Sequence, residues 1–199
     1  MNFTDAATYV CVARHGETDW NVSGILQGWL DVPLNDQGRR QACEMLAGFT
    51  NSRFDKVCSS PLVRSRETAE IIARLLRLAP PEIHEGLKER NFGIFQGIQK
   101  AELAELNPVL LQQILKRNPA TDFEQGESMD EFADRVLQAI IEIARPNSGK
   151  RILAITHGWT MDVITRHIAS LPRSAMLDMK RKNGECVWLD VRGKTIRPL

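Results

Sequence analysis

Short apolar, β-branched runs alternate along this chain with longer stretches whose apolar residues recur at helical spacing. Thr8 to Ala13 reads as a buried strand and runs straight into Arg14-His15-Gly16. After Leu34, Asn35 or Asp36 can cap a helix reaching about Phe49. Phe54 to Ser59 is a second strand. Pro61 is placed to open a helix through Leu76, with Ile71, Ile72, Leu75 and Leu76 on its apolar side. Glu82 to His84 is a short third strand. Ala101 to Lys116 is helical but broken at Asn107-Pro108, which predicts two short helices. Ser128 and Glu131 have capping-box spacing ahead of a helix to about Ala144, and Pro146 to Gly149 is a turn. Arg151 to Thr156 is a buried strand ending at His157; a helix from Thr160 to Ala169 and a strand from Cys186 to Val191 complete the pattern.

This alternation predicts an α/β fold, a three-layer αβα arrangement with a mostly parallel central sheet and helices on both faces. We read residues 1–199 as a single domain with a helical lid at about 92–126. In such sheets ligands bind beyond the carboxyl ends of the strands. Two strand ends here run into histidine, Ala13-Arg14-His15-Gly16 and Ile155-Thr156-His157-Gly158. That coincidence directs attention to one crevice.

Charge narrows the partners. Lys and Arg total 26 against 25 Asp and Glu, so nothing favours nucleic acid or a membrane surface, and any positive potential used for function must be local. The four cysteines, Cys11, Cys43, Cys58 and Cys186, are scattered without a C-x-x-C pair, which suits thiols in a reducing compartment. Cys11 and Cys58 fall in apolar runs and read as small core residues. Met-Asn-Phe-Thr-Asp lacks the basic and apolar segments of a secretory leader, and no run is long enough to span a bilayer. A cytoplasmic location is expected.

A phosphate monoester site needs cations and N–H groups to grip a dianion, and guanidinium matches phosphate geometry. It needs a nucleophile such as a neutral imidazole nitrogen, and a group that protonates the leaving oxygen. Arg14, His15, Arg64, His157 and one acidic residue would supply these. Gly16 would let the backbone approach a ligand. The residues after His157 would form a helix N-terminus suited to an anion.

At this point the sequence resembles the histidine phosphatase superfamily, in the branch of phosphoglycerate mutase-like proteins. Arg14-His15-Gly16-Glu17-Thr18, followed by Trp20-Asn21, is similar to the family signature. Ser59-Ser60-Pro61-Leu62-x-Arg64-Ser65-x-x-Thr68-Ala69 resembles its second block, and Leu87-x-Glu89-x-x-Phe92-Gly93-x-x-x-Gly97 the block carrying its acid. Gly126-Glu127-Ser128 and Thr156-His157-Gly158 resemble the last two. A lone R-H-G would say little; five blocks in order, over about Val10 to Val191, say much more.

The resemblance implies a phosphoglycerate mutase-like fold and names the roles. His15 would be the nucleophile that becomes phosphohistidine. Arg14, Arg64 and His157 would hold the phosphoryl oxygens. Glu89 would act as acid, then base. Asn21, Gln27 and Gly28 would help line the phosphate pocket. No metal or other cofactor is implied, since basic residues carry the charge. Glu17 is expected to orient the Arg-His loop; Lys100 could reach a second anionic group of the substrate, but a solvated lysine is the favoured reading. Trp159 stands where a small residue is common, and Phe95-Gln96-Gly97 departs from a frequent Trp-Glu-Gly.

Glu89 and His157 lie 68 positions apart, less than in mutases that close over a bisphosphate intermediate. The expectation is therefore a phosphatase of a small phosphorylated metabolite. A cofactor-dependent phosphoglycerate mutase is the alternative, and a non-catalytic phosphate-ligand module a further one. A homodimer, paired for instance through the last strand, stays open.

Overall fold

The computed structural model describes residues 6–49, 53–177, 179 and 181–199. Six strands form one sheet: β1 (Thr8–Arg14), β2 (Lys56–Ser59), β3 (Glu82–Ile83), β4 (Arg151–Thr156), β5 (Cys186–Arg192) and β6 (Thr195–Pro198). Their order is β3-β2-β4-β1-β5-β6. The first four are parallel, while β5 and β6 add antiparallel at one side. The helices are α1 (Asp19–Val22), α2 (Asp36–Met45), α3 (Val63–Leu76), α4 (Lys100–Leu106), α5 (Pro108–Leu115), α6 (Met129–Ala144) and α7 (Gly158–Ile168).

The central strands read as continuous apolar runs because both faces are covered. Along β1 and β4, Val10, Val12, Ile152 and Ala154 join the core under α6 and α7. Their neighbours Cys11, Ala13, Leu153 and Ile155 join Met45 of α2 and Ala69 and Ile72 of α3 on the other face. Alternation across the pleat thus builds two cores from one sheet. Cys11 and Cys58 are buried within these cores.

Helix α6 illustrates what fixes an element. Ser128 Oγ accepts from the Glu131 N–H, and Glu131 Oε2 accepts from the Ser128 N–H. Such a cap is worth about 1 kcal/mol. Phe132, Val136, Ile140 and Ile143 are fully buried on one side, each contributing about 1.5–3 kcal/mol. The cap sets where the helix begins; the packed face is why it persists.

Several boundaries differ from the expectation. Pro61 does not open α3, which starts at Val63; Ser60 Oγ accepts from the Leu62 N–H in the bend before it. Helix α7 begins at Gly158, two residues earlier than Thr160. Helix α1 and strand β6 were not anticipated. Strand β6 tolerates Pro198 because it lies at the sheet edge, where a missing N–H breaks no ladder. No helix among the described residues is long and apolar enough to cross a membrane.

Register and connectivity then fix the crevice. Parallel pairing sets Arg14 opposite Thr156, and the His15 N–H donates to the Thr156 carbonyl at 3.0 Å, so His15 and His157 emerge side by side. Ser60 N–H donates to Ile155 O at 3.0 Å, which brings the end of β2 to the same edge. Helix α2, on the connection from β1 to β2, packs on one face, and α7, after β4, on the other. The gap between β1 and β4 is therefore the topological switch point, where an open α/β sheet leaves room for a ligand.

Candidate active site

At this switch point a cavity of about 120 Å³ is lined by Arg14, His15, Asn21, Gln27, Gly28, Arg64 and Glu89, together with Lys100, Arg117, Gly158 and Trp159. Every residue given a catalytic or phosphate-pocket role from sequence lies on this cavity except His157, whose ring centroid is 5.1 Å from that of His15.

His15 is held in one orientation. Its Nδ1 lies 2.6 Å from the Gly16 carbonyl oxygen, a contact that requires a proton on Nδ1. In the neutral ring this leaves Nε2 as the lone-pair nitrogen, toward which Arg64 Nε–H points at 3.3 Å. Burial holds the ring well below the ordinary histidine range, and the charges of Arg64 and Arg14 push in the same direction. The imidazole is thus held in its neutral form around neutral pH, with Nε2 as its lone-pair nitrogen.

His157 is set from behind by two hydroxyls. Its Nε2 lies 2.8 Å from Ser60 Oγ and 3.3 Å from Ser65 Oγ. Its Nδ1 is buried with no hydrogen-bond partner among the described residues. Burial, then Arg64, His15 and Arg14, also holds this imidazole well below its usual range.

The two predicted arginines are positioned by backbone carbonyls rather than by carboxylates, so their charge stays available. Arg64 donates to Gly28 O at 2.7 Å and Leu30 O at 2.9 Å. Arg14 donates to Arg181 O at 2.5 Å, and its Nε is buried without a partner among the described residues. Burial lowers both guanidinium groups to about 10, which leaves them charged.

Glu89 is 8% exposed, with Oε1 accepting from Arg90 N–H at 2.9 Å and Oε2 from the Trp159 N–H at 3.3 Å. Burial pushes its carboxyl up, against the opposing charge of Arg117, so it is biased towards the protonated form. Its backbone is braced: Glu89 O accepts from Trp29 Nε1 at 2.7 Å and from Arg135 at 3.1 Å. Arg135 is in turn held by Glu127 at 2.8 Å, which gives Gly126-Glu127-Ser128 a supporting place behind the acid.

Some expectations take a different form. Gly16 does not line the cavity. Its missing side chain admits the Gly38 backbone, whose carbonyl oxygen would lie 2.3 Å from an added Cβ. Gly16→Ala is therefore expected to displace the His15 loop from α2, costing about 1–3 kcal/mol in thermal or denaturant unfolding. Glu17 does tie that loop down, accepting from Asn35 Nδ2 at 3.0 Å. The helix-start amide of Trp159 is occupied by Glu89, so the nearest anion to that helix start is the protein's own. Gln96 braces the Gly28 turn, its Oε1 accepting from Trp29 N–H at 2.7 Å.

Trp159 does form a bulky wall, its ring 6.0 Å from Phe92 and 5.1 Å from the Arg117 guanidinium carbon. Arg117 itself, with Ser60, Ser65, Asp162 and Arg181, was not singled out from sequence. Ser60 and Ser65 were visible in the second block, but their contact with His157 depends on the strand register. Arg117 carries no local signal at all.

Comparison with known proteins identifies the family and the fold. The profile of the histidine phosphatase superfamily (branch 1) matches residues 10–198. The chain is 33% identical to the uncharacterized phosphatase PhoE of Bacillus subtilis (strain 168) over 162 residues, 81% of this chain and 78% of that one. It is 33% identical to a metal-independent phosphoserine phosphatase of Arabidopsis thaliana over 174 residues, 85% of this chain and 72% of that one. The solved structure of Bacillus stearothermophilus YhfR superposes with a TM-score of 0.88 at 27% identity, covering 96% of this chain and 95% of that one. With the signature blocks gathered at one switch point and the profile matching almost end to end, the chain belongs to the histidine phosphatase superfamily.

Proposed function

We propose that the protein is a metal-independent phosphomonoesterase that hydrolyses a small phosphorylated metabolite through phosphohistidine at His15. The observation that carries this reading is the neutral, oriented imidazole of His15 on a cavity shared with Arg14, Arg64 and the buried Glu89. His15 Nε2 attacks phosphorus and the bond to the ester oxygen breaks. Glu89 gives its proton to that oxygen, and the alcohol leaves. The Glu89 carboxylate then takes a proton from water, whose oxygen attacks phosphorus; the P–N bond breaks and inorganic phosphate departs. Arg14 and Arg64 neutralise the oxygens throughout, and the unpartnered His157 Nδ1 donates to one of them when it carries a proton.

The cavity also carries more positive charge than a monoester needs. Arg117 and Lys100 both line it, and the charge of Arg117 acts on Glu89, the group that would meet the leaving alcohol. We therefore favour an alcohol that bears its own acidic group. The phosphoserine phosphatase relative acts, by its name, on an ester of that kind.

The test is phosphate release, with EDTA present, from phosphoserine, 3-phosphoglycerate, glycerol phosphate and p-nitrophenyl phosphate. Release should survive the chelator and favour the acidic esters. Chelator-sensitive turnover restored by added metal would overturn the metal-independent scheme. Interconversion of 2- and 3-phosphoglycerate without net phosphate release would replace the phosphatase by a mutase.

A further inference from the structure

Behind the cavity lies a charge cluster that the reaction scheme does not use. Asp162, on the second turn of α7, is completely buried. Its two oxygens take different arginines: Oδ2 accepts from Arg117 Nε, and Oδ1 accepts from Arg181 Nε at 3.2 Å. Arg181 is 4% exposed and also donates to Thr165 Oγ1 and to the Glu185 carboxylate. The carbonyl of this same Arg181 receives the Arg14 hydrogen bond. Nearby, Asn183 Nδ2 donates to His15 O at 2.9 Å, and Gly184 N–H to Arg14 O at 3.2 Å.

The two arginines joined through this cluster end the same way. Arg14 Nε and Arg117 Nη2 are both buried, both without a partner among the described residues, and both residues line the cavity. Arg117 sits at φ 52°, a left-handed backbone that a non-glycine residue adopts at some cost, and its guanidinium lies about 3.1 Å from where a Cβ on Gly158 would stand. A buried carboxylate shared by two guanidinium groups is costly to desolvate, and removing one partner leaves an uncompensated charge. Such a cluster is a poor source of stability and a good source of fixed geometry.

We propose that Asp162 and Arg181 form a buried strut of positioning residues, holding Arg117 for affinity towards an acidic leaving group and Arg14 for phosphoryl transfer. This rests on the phosphatase reading given above, and it separates the two effects by residue. Arg117 answers to Asp162 directly. Arg14 answers to Arg181 through its carbonyl, whose place is set by the Arg181 side chain on Asp162, Thr165 and Glu185.

The experiment compares Arg117→Met, Arg181→Met and Asp162→Asn on phosphoserine and p-nitrophenyl phosphate, with thermal unfolding and orthovanadate binding measured alongside. A misplacement of about 1 Å can cost up to about 100-fold in rate. Arg181→Met should lower kcat about 10- to 100-fold on both esters and weaken vanadate, with KM little changed. Arg117→Met should raise KM for phosphoserine about tenfold, with a much smaller effect on KM for p-nitrophenyl phosphate and on vanadate affinity. Asp162→Asn should show both defects; if it fails to fold, the two arginine variants carry the test. Equal losses in kcat and KM on both esters, in step with lowered thermal stability, would reduce the cluster to a structural role and overturn the strut. A wild type that hydrolyses neither ester would sink the phosphatase reading instead. The strut would then stand or fall on whether Arg181→Met weakens vanadate clearly more than Arg117→Met does; no vanadate binding by the wild type overturns both.

Discussion

Replacing His15 by alanine is expected to lower phosphate release by at least about 10⁴-fold and to abolish acid-labile phosphate on the protein, while the fold survives. The loss should be this large because no other lone-pair nitrogen faces the cavity in the same way. His157 does not line the cavity and has its Nε2 engaged by Ser60 and Ser65, and the other side-chain nitrogens on the cavity are guanidinium, ammonium, amide or indole, none of them a good nucleophile. The fold should survive because the loop is held mainly through backbone groups: His15 N–H to Thr156 O, Gly16 N–H to Thr68 Oγ1, and Asn183 to His15 O. The variant also removes a ring that burial, and then the charges of Arg64 and Arg14, hold in its neutral form. Rapid-quench phosphorylation, together with circular dichroism and thermal unfolding, measures both halves. A folded variant that still turns over at wild-type rates would remove His15 from the nucleophile's place.

Glu89→Gln carries the second large effect. Removing a positioned general acid costs about 10²–10⁴-fold, and here the size should depend on the leaving group. An alkyl ester such as phosphoserine expels a strongly basic alkoxide and should show the full loss. The p-nitrophenolate ion leaves without a proton, so its kcat/KM, set by phosphoryl transfer to His15, should show far less, while its kcat still loses the base that activates water. The pH profile gives an independent check. Burial raises the Glu89 carboxyl, so the acid is present at low pH and is lost as pH rises through that raised value. Burial and the flanking arginines lower His15, so the nucleophile stays neutral until well below the usual imidazole range. Wild-type kcat/KM should fall on the alkaline side from Glu89 and only at distinctly acid pH from His15. The variant should lose the alkaline limb; an alkaline limb unchanged in Glu89→Gln would assign that ionisation to another group.

Much of the fold was legible because its signals are local. A period of two or an unbroken apolar run marks a strand, and Ser128 with Glu131 marks a helix start, whatever lies elsewhere in the chain. Misreadings came where tertiary context overrides such signals. Pro61 could have opened a helix, but Ser60 Oγ takes the Leu62 N–H and α3 starts two residues later. Strand β6 is short and holds a proline, so only its pairing with β5 identifies it.

By itself, then, the sequence determined the α/β alternation, the two strand ends that run into histidine, and the five blocks that place the chain in its superfamily. These are properties of residue type and spacing. Tertiary structure alone decided that Gly16 is small for the sake of Gly38, that Ser60 and Ser65 back His157, and that Glu127 braces the acid through Arg135. It alone decided that Arg117, with no motif around it, reaches the cavity and shares a buried carboxylate with Arg181. The physical reason is range. Secondary structure and turn chemistry are set within a few residues, whereas a buried charge is placed by whatever the completed fold brings to it, and those partners lie tens of positions away.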